Sequence, residues 1–164
     1  MTKPLDRIDV RILEEVQKDA SRTAAELGEQ IGLSQAACWR RLQRLEGEGY
    51  IRRTVSIVDP DKVGCGTIVL ANVKLSAHGR ANLDTFSRKV RALPNVLECF
   101  VILGDADFFL KVAVRDIYEY EDFFFQTLSK IEGVQEVQSL VALSKIKNET
   151  ALPIRPDTGG ASRQ

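Results

Sequence analysis

Two helix-start signals, separated by a single glycine stop, constrain this chain more than any other feature. Thr23 is followed three residues later by Glu26, the pattern of a reciprocal capping box. Ala24, Leu27 and Ile31 then recur at helical spacing, and Gly32 ends the segment. Ser34 caps a third helix almost at once, with Cys38, Leu42 and Leu45 along its inner face. An earlier helix is predicted over Leu5 to Val16, opening near Pro4, through Leu5, Ile8, Ile12, Leu13 and Val16. Two short helices joined by so tight a turn form a helix-turn-helix, whose second helix can enter the DNA major groove.

The residues of the third helix that fall off its inner face are the ones able to read DNA. Ser34, Gln35, Ala36 and Arg40 lie toward its N-terminal half, the part best placed to reach base edges. Arginine pairs bidentately with guanine and glutamine with adenine. Trp39 shares the outer side, although packing against the first helix is the plainer role for an indole. Arg41 and Arg44 are expected to clamp phosphates, joined by Arg52 and Arg53 in the segment that follows. The ordinary alternative is a solvated basic face on a three-helix bundle.

Charge supports the first reading. The chain has 164 residues and a formal net charge of zero, which excludes a nonspecific polycation. Between Ser34 and Arg53, however, Arg40, Arg41, Arg44, Arg52 and Arg53 face only Glu46 and Glu48. Phosphate attraction needs such a local field, not a high overall charge. No apolar run has the roughly 20 residues of a membrane span. The opening MTKPLDRID lacks a signal peptide's apolar stretch, so a cytoplasmic protein is expected. Cys38, Cys65 and Cys99 form no CxxC pair, and His78, expected in a loop, is the only histidine. No metal or cofactor is expected, and the thiols are expected to be buried.

Tyr50 to Val58 alternates weakly and is expected to form a short strand or wing, with a linker over 59–66. The rhythm then changes. Strands are predicted over Thr67–Leu75, Val96–Leu103, Phe108–Val114 and Val134–Ile146, and helices over Asn82–Leu93 and from Asp116 to Ile131. The order is the ferredoxin-like βαββαβ pattern. The fold class is therefore α+β: a winged helix-turn-helix domain over 5–58 and a βαββαβ domain over 67–150. A tail over 151–164 is expected to be largely disordered. With helices on one face of the sheet, a second copy of the chain is expected to cover the other.

The hairpin turn Gly104-Asp105-Ala106-Asp107-Phe108 is the second feature. Its paired carboxylates can serve as acid and base, hold a metal, shape the turn, or capture the ammonium group of an amino acid. No nucleophile, P-loop or dinucleotide fingerprint accompanies them. An enzyme is therefore not expected.

The run from Leu5 to Arg52 resembles the DNA-binding domain of the Lrp/AsnC (feast/famine) regulators. LDxxDxxIL, GLS, and the CxxRxxRLExxGxI pattern at Cys38, Arg41, Arg44, Leu45, Glu46, Gly49 and Ile51 carry the likeness. The second half resembles that family's ligand-sensing domain through GDxDF at Gly104 to Phe108, and TALPI at Thr150 to Ile154 resembles one sub-branch. The resemblance implies a transcriptional regulator that binds double-stranded operator DNA, dimerises, assembles further into species such as octamers, and responds to an amino acid. It also implies an effector site at Ile102, Leu103, Gly104, Asp105 and Asp107, completed by Ser139, Leu140 and Val141. One departure is Gln35-Ala36-Ala37, where many members carry a proline two residues before the cysteine. An effector-independent architectural DNA-binding protein is the alternative.

Overall fold

Each of the first three helices begins at its cap residue. The computed structural model describes residues 4–81 and 83–155. In it, α1 (Arg7–Lys18) is capped by Asp6, whose carboxylate accepts the amides of Ile8 and Asp9, while the Asp9 carboxylate accepts the amide of Asp6. This second capping box starts α1 after Pro4, not at it. Thr23 and Glu26 close the expected box on α2 (Ala24–Ile31), and Gly32 ends it with φ 78°, a left-handed conformation that favours glycine. Ser34 caps α3 (Gln35–Gly47) through the amide of Ala37.

Ile12, Leu13, Leu27, Ile31, Cys38 and Leu45 form the buried core of this unit. A charged group lies beside it. Asp9 is 0% exposed, and burying an unpaired carboxylate is costly. Arg41 Nη1 lies 2.7 Å from Asp9 Oδ1 and 2.7 Å from Asp6 Oδ2, and Arg44 Nη2 lies 2.5 Å from Asp9 Oδ2. Burial by itself would raise the Asp9 carboxyl, but Arg44, the Asp6 amide and Arg41 hold it below its ordinary value of 3.8. Asp6 is held lower, at about 2; its slight burial opposes Arg41 and the amides of Asp9 and Ile8, and they prevail.

The unit also contains the end of the chain. Residues up to Ser56 group with those from Lys147 onward, and Ile57–Ile146 form the second unit. The carboxamide of Gln17 on α1 clasps the backbone of Leu152, donating to its carbonyl at 3.1 Å and accepting its amide at 2.6 Å. Ile154 packs against the three-helix core. Leu152 and Ile154, expected in the disordered tail, are therefore docked. The remainder of that tail, from Pro156, lies outside the described residues.

The second unit has a four-stranded antiparallel sheet in the order β2-β3-β1-β4, from β1 (Thr67–Leu75), β2 (Val96–Val101), β3 (Phe108–Val114) and β4 (Val134–Val141). Val69, Ala71, Val73 and Leu75 point inward with Leu110 and Val112, and α5 (Leu83–Arg91) and α6 (Ile117–Gln126) cover them with Phe86, Val90 and Tyr120. The alternate residues of β1 face the other way, beside Phe100, Phe109 and Leu140. Gly133 (φ 90°) meets Gly79 backbone to backbone: a Cβ on Gly79 would come within 2.8 Å of Gly133 Cα.

Several expectations change. Residues 52–58 are exposed and pair with no strand, so no wing is formed among the described residues. β4 ends at Val141, and α6 ends at Gln126, with a 3-10 turn at Leu128–Lys130. His78 sits on an extra short helix, α4 (Ala77–Ala81). Cys38 is buried as expected, but Cys65 is half-buried and Cys99 exposed.

Replacing Asp9 with alanine strips both guanidinium groups of their shared partner and is expected to cost on the order of 3 kcal/mol, measured by urea unfolding. The depressed carboxyls of Asp6 and Asp9 make the network fully stabilising above pH 4. Its contribution is lost as pH falls from 3.8 toward about 2. Melting temperatures measured across that range should therefore drop more steeply in the native chain than in Asp9→Ala.

Candidate functional site

The third helix divides its circumference among three jobs. At 3.6 residues per turn, Cys38, Leu42 and Leu45 share the core side. Arg41 and Arg44 flank it, and Gln35, Ala36, Trp39, Arg40 and Gln43 form one continuous arc. Every residue of that arc is exposed, as is the cap Ser34. Trp39 is 55% exposed, so it does not serve as packing for the first helix. Arg40 carries no ion pair among the described residues, and neither do Arg52 and Arg53 on the exposed segment after the helix. The arc offers a guanidinium, two carboxamides, an indole N–H and a small alanine side chain. This is the donor, acceptor and apolar repertoire that reads base edges.

Arg41 and Arg44 are different. Their guanidinium groups are committed to Asp6 and Asp9, and Arg44 also lies 3.3 Å from Glu48. The carboxylates beside them also hold both guanidinium groups above their ordinary pKa. They fix how the recognition helix sits on α1, and the expectation that they clamp phosphates does not fit this pairing. Gln43, which also falls off the inner face, extends the exposed arc one turn beyond Arg40 and donates to Glu46 Oε2 at 3.2 Å.

In the second unit the glycine-acid turn is pinned to β1. The Asp107 amide donates to Val73 O at 2.9 Å, the Leu75 amide donates to Asp107 Oδ2 at 2.7 Å, and the Ile102 amide donates to Asp107 O at 3.0 Å. Asp107 thus positions the turn, and the exposed Asp105 is carried over the end of the sheet. A cavity of about 290 Å³ opens there. Asn72 and Lys74 line it from β1, Glu136 and Gln138 from β4, and Ile102, Asp105 and Ala106 from the turn.

Of the expected effector residues, Ile102 and Asp105 line this cavity. Leu103 is fully exposed, and Gly104 is exposed at the turn tip. Ser139, Leu140 and Val141 lie farther along β4, opposite Ala71, Leu70 and Val69. Within one chain they do not join the cavity; Ser139 instead meets the Tyr120 hydroxyl at 2.6 Å, on the helix side of the sheet. Asn72, Lys74, Glu136 and Gln138 were missed. The alternation of TIVLANVKL places Asn72 and Lys74 opposite the core, but only the register Asn72↔Gln138 and Lys74↔Glu136 brings the β4 pair beside them.

Residues 5–46 match the family model of the AsnC-type helix-turn-helix domain, and residues 68–152 match that of the Lrp/AsnC ligand binding domain. The glutamate uptake regulatory protein of Zymomonas mobilis is 35% identical over 164 residues, covering 100% of this chain and 99% of that protein. The crystal structure of an AsnC family transcriptional regulator from Agrobacterium tumefaciens matches with a TM-score of 0.87 at 38% identity, covering 91% of this chain and 97% of the other. A transcriptional regulator from Neisseria meningitidis, solved as its L-Met complex, matches with a TM-score of 0.87 at 34% identity, covering 91% and 96%.

The division of the helix separates stability from recognition. Arg40→Ala should leave the unfolding free energy from urea titration within the roughly 0.5 kcal/mol of an ordinary surface change. Arg44→Ala should lower it clearly. Equal effects of the two substitutions on unfolding would refute the division.

Proposed function

We propose, for a chain that belongs to the Lrp/AsnC family of transcriptional regulators, that α3 reads an operator in the major groove while an amino acid beside the Gly104–Asp107 turn controls that binding. The observation that carries the reading is the exposed arc of α3. Arg41 and Arg44 are committed to holding the helix, whereas the exposed arc from Gln35 to Gln43 carries one intramolecular side-chain bond, from Gln43 Nε2 to Glu46 at 3.2 Å, and Arg40 carries no ion pair among the described residues. Arg40, Gln35 and Gln43 are assigned to base edges, Trp39 to apolar contact with thymine methyl groups, and Ser34 and Ala36 to close approach. Arg52 and Arg53 are assigned to phosphates.

The outer sheet face supports assembly. Phe100 is 50% and Leu140 51% exposed, with Leu70 and Phe109 beside them, and a second copy would remove this apolar surface from water. A dimer presents two recognition helices to half-sites one helical turn, or a multiple of it, apart. Larger assemblies such as octamers fit the same plan. A relative solved with L-Met and another named for glutamate uptake support an amino acid as the signal for this chain. An effector acts by binding one assembly or one DNA-bound state more tightly than another. The protein acts as a regulator in the cytoplasm, on the nucleoid, and not as an enzyme. Among the described residues no helix is long and apolar enough to cross a membrane.

Operator selection followed by salt titration tests this reading. Arg40→Ala should cost about 1–3 kcal/mol on the selected site and relax preference at one base pair. Arg52→Ala and Arg53→Ala should weaken binding to all sequences and each reduce the salt slope by about one. Undiminished operator affinity in Arg40→Ala would remove α3 from the groove.

A further inference from the structure

The cavity beside the turn has a composition that selects among amino acids. An aliphatic effector would gain roughly 1.5–3 kcal/mol by burying its side chain against apolar walls. Here the walls are Lys74, Asp105, Glu136, Asn72 and Gln138, with Ile102 and Ala106 as the apolar residues of the lining. A leucine or methionine side chain placed among them would strip water from charged and amide groups and return no hydrogen bonds.

Charge narrows the choice further. An amino acid brings one carboxylate and one ammonium group. Lys74 is the single cation of the lining and suits the carboxylate, whereas Asp105 and Glu136 are two anions, one more than the ammonium group needs. None of the three has an ion pair among the described residues. Lys74 and Glu136 are cross-strand neighbours, so they form one end of the cavity, and Asp105 descends on it from the turn. One carboxylate is left to meet the effector's side chain. Beside it Asn72 Nδ2 donates to Gln138 Oε1 at 3.5 Å, which leaves Asn72 Oδ1 as the carbonyl oxygen of this pair that the contact does not use.

We infer that the effector is an amino acid whose side chain ends in a nitrogen donor, an ammonium, guanidinium or carboxamide group, held by Lys74 at its α-carboxylate and by Asp105 and Glu136 at its two nitrogen ends. This rests on the amino-acid reading of the site given above and adds the side-chain class. It sets aliphatic amino acids aside because five of the seven lining residues carry charged or amide groups. Glutamate and aspartate are disfavoured by repulsion from the unspent carboxylate.

The test is calorimetric titration of the full chain with lysine, arginine, glutamine, asparagine, leucine, methionine and glutamate, repeated on Lys74→Ala and Glu136→Gln. The expected result is binding confined to the nitrogen-terminated set. Lys74→Ala should weaken every member of that set, and so should Glu136→Gln, by about tenfold, because Glu136 stands beside Lys74 and meets the α-ammonium group that all of them carry. Tight binding of leucine, methionine or glutamate in place of that set would overturn the side-chain class and leave the amino-acid reading standing. Binding of the expected set that neither substitution disturbs would overturn the location. Binding of none of the seven would overturn the inference together with the reading beneath it.

Discussion

A carboxylate with no exposed surface sets the geometry of the DNA-binding unit. Asp9 lies on the first helix, but its two guanidinium partners come from the third, so the ion network joins elements that the apolar core alone would allow to slide. Hydrophobic contacts are nondirectional, whereas a carboxylate bound from two sides fixes both position and rotation. Rotation is what matters for a recognition helix, because a turn about its axis would exchange Arg40 for Arg44 at the surface. The same Asp9 also closes the capping box of its own helix through the Asp6 amide. One side chain therefore starts α1 and orients α3.

What the sequence disclosed follows the range of the interactions. Caps act over three residues, and those of Thr23 and Ser34 were legible with their helices. Strand alternation acts over two, so the βαββαβ order and the two faces of β1 could be read. The role of Arg41 could not, because its partner Asp9 lies 32 residues away and nothing local distinguishes a paired arginine from a phosphate clamp. The cavity was half legible for the same reason. Its turn is a local motif, whereas Glu136 and Gln138 reach it through a β1–β4 register that periodicity does not encode. The missing wing shows the converse limit: Tyr50 to Val58 has the residue types of a strand, but a strand needs a partner, and none of the described residues supplies one.

The outer face of the sheet carries two surfaces in sequence. Along the paired strands β1 and β4 the cross-strand partners change from Leu70–Leu140 to Asn72–Gln138 to Lys74–Glu136. Apolar, amide and charged rows follow one another at two-residue steps, so the region suited to a second copy of the chain borders the region suited to a small polar ligand. Asp107 stands at the charged end and holds the turn to β1 through both its backbone and its side chain. Rigidity at that end follows from those bonds.

The clasp between Gln17 and Leu152, with Ile154 packed against the three-helix core, has a consequence for biosynthesis. Translation delivers the three helices first and their final packing piece last, with the whole of Ile57–Ile146 made in between. At about 5–20 residues per second that interval is on the order of ten seconds. Until it ends, the nascent chain carries a DNA-reading surface on a core that lacks the cover of Ile154.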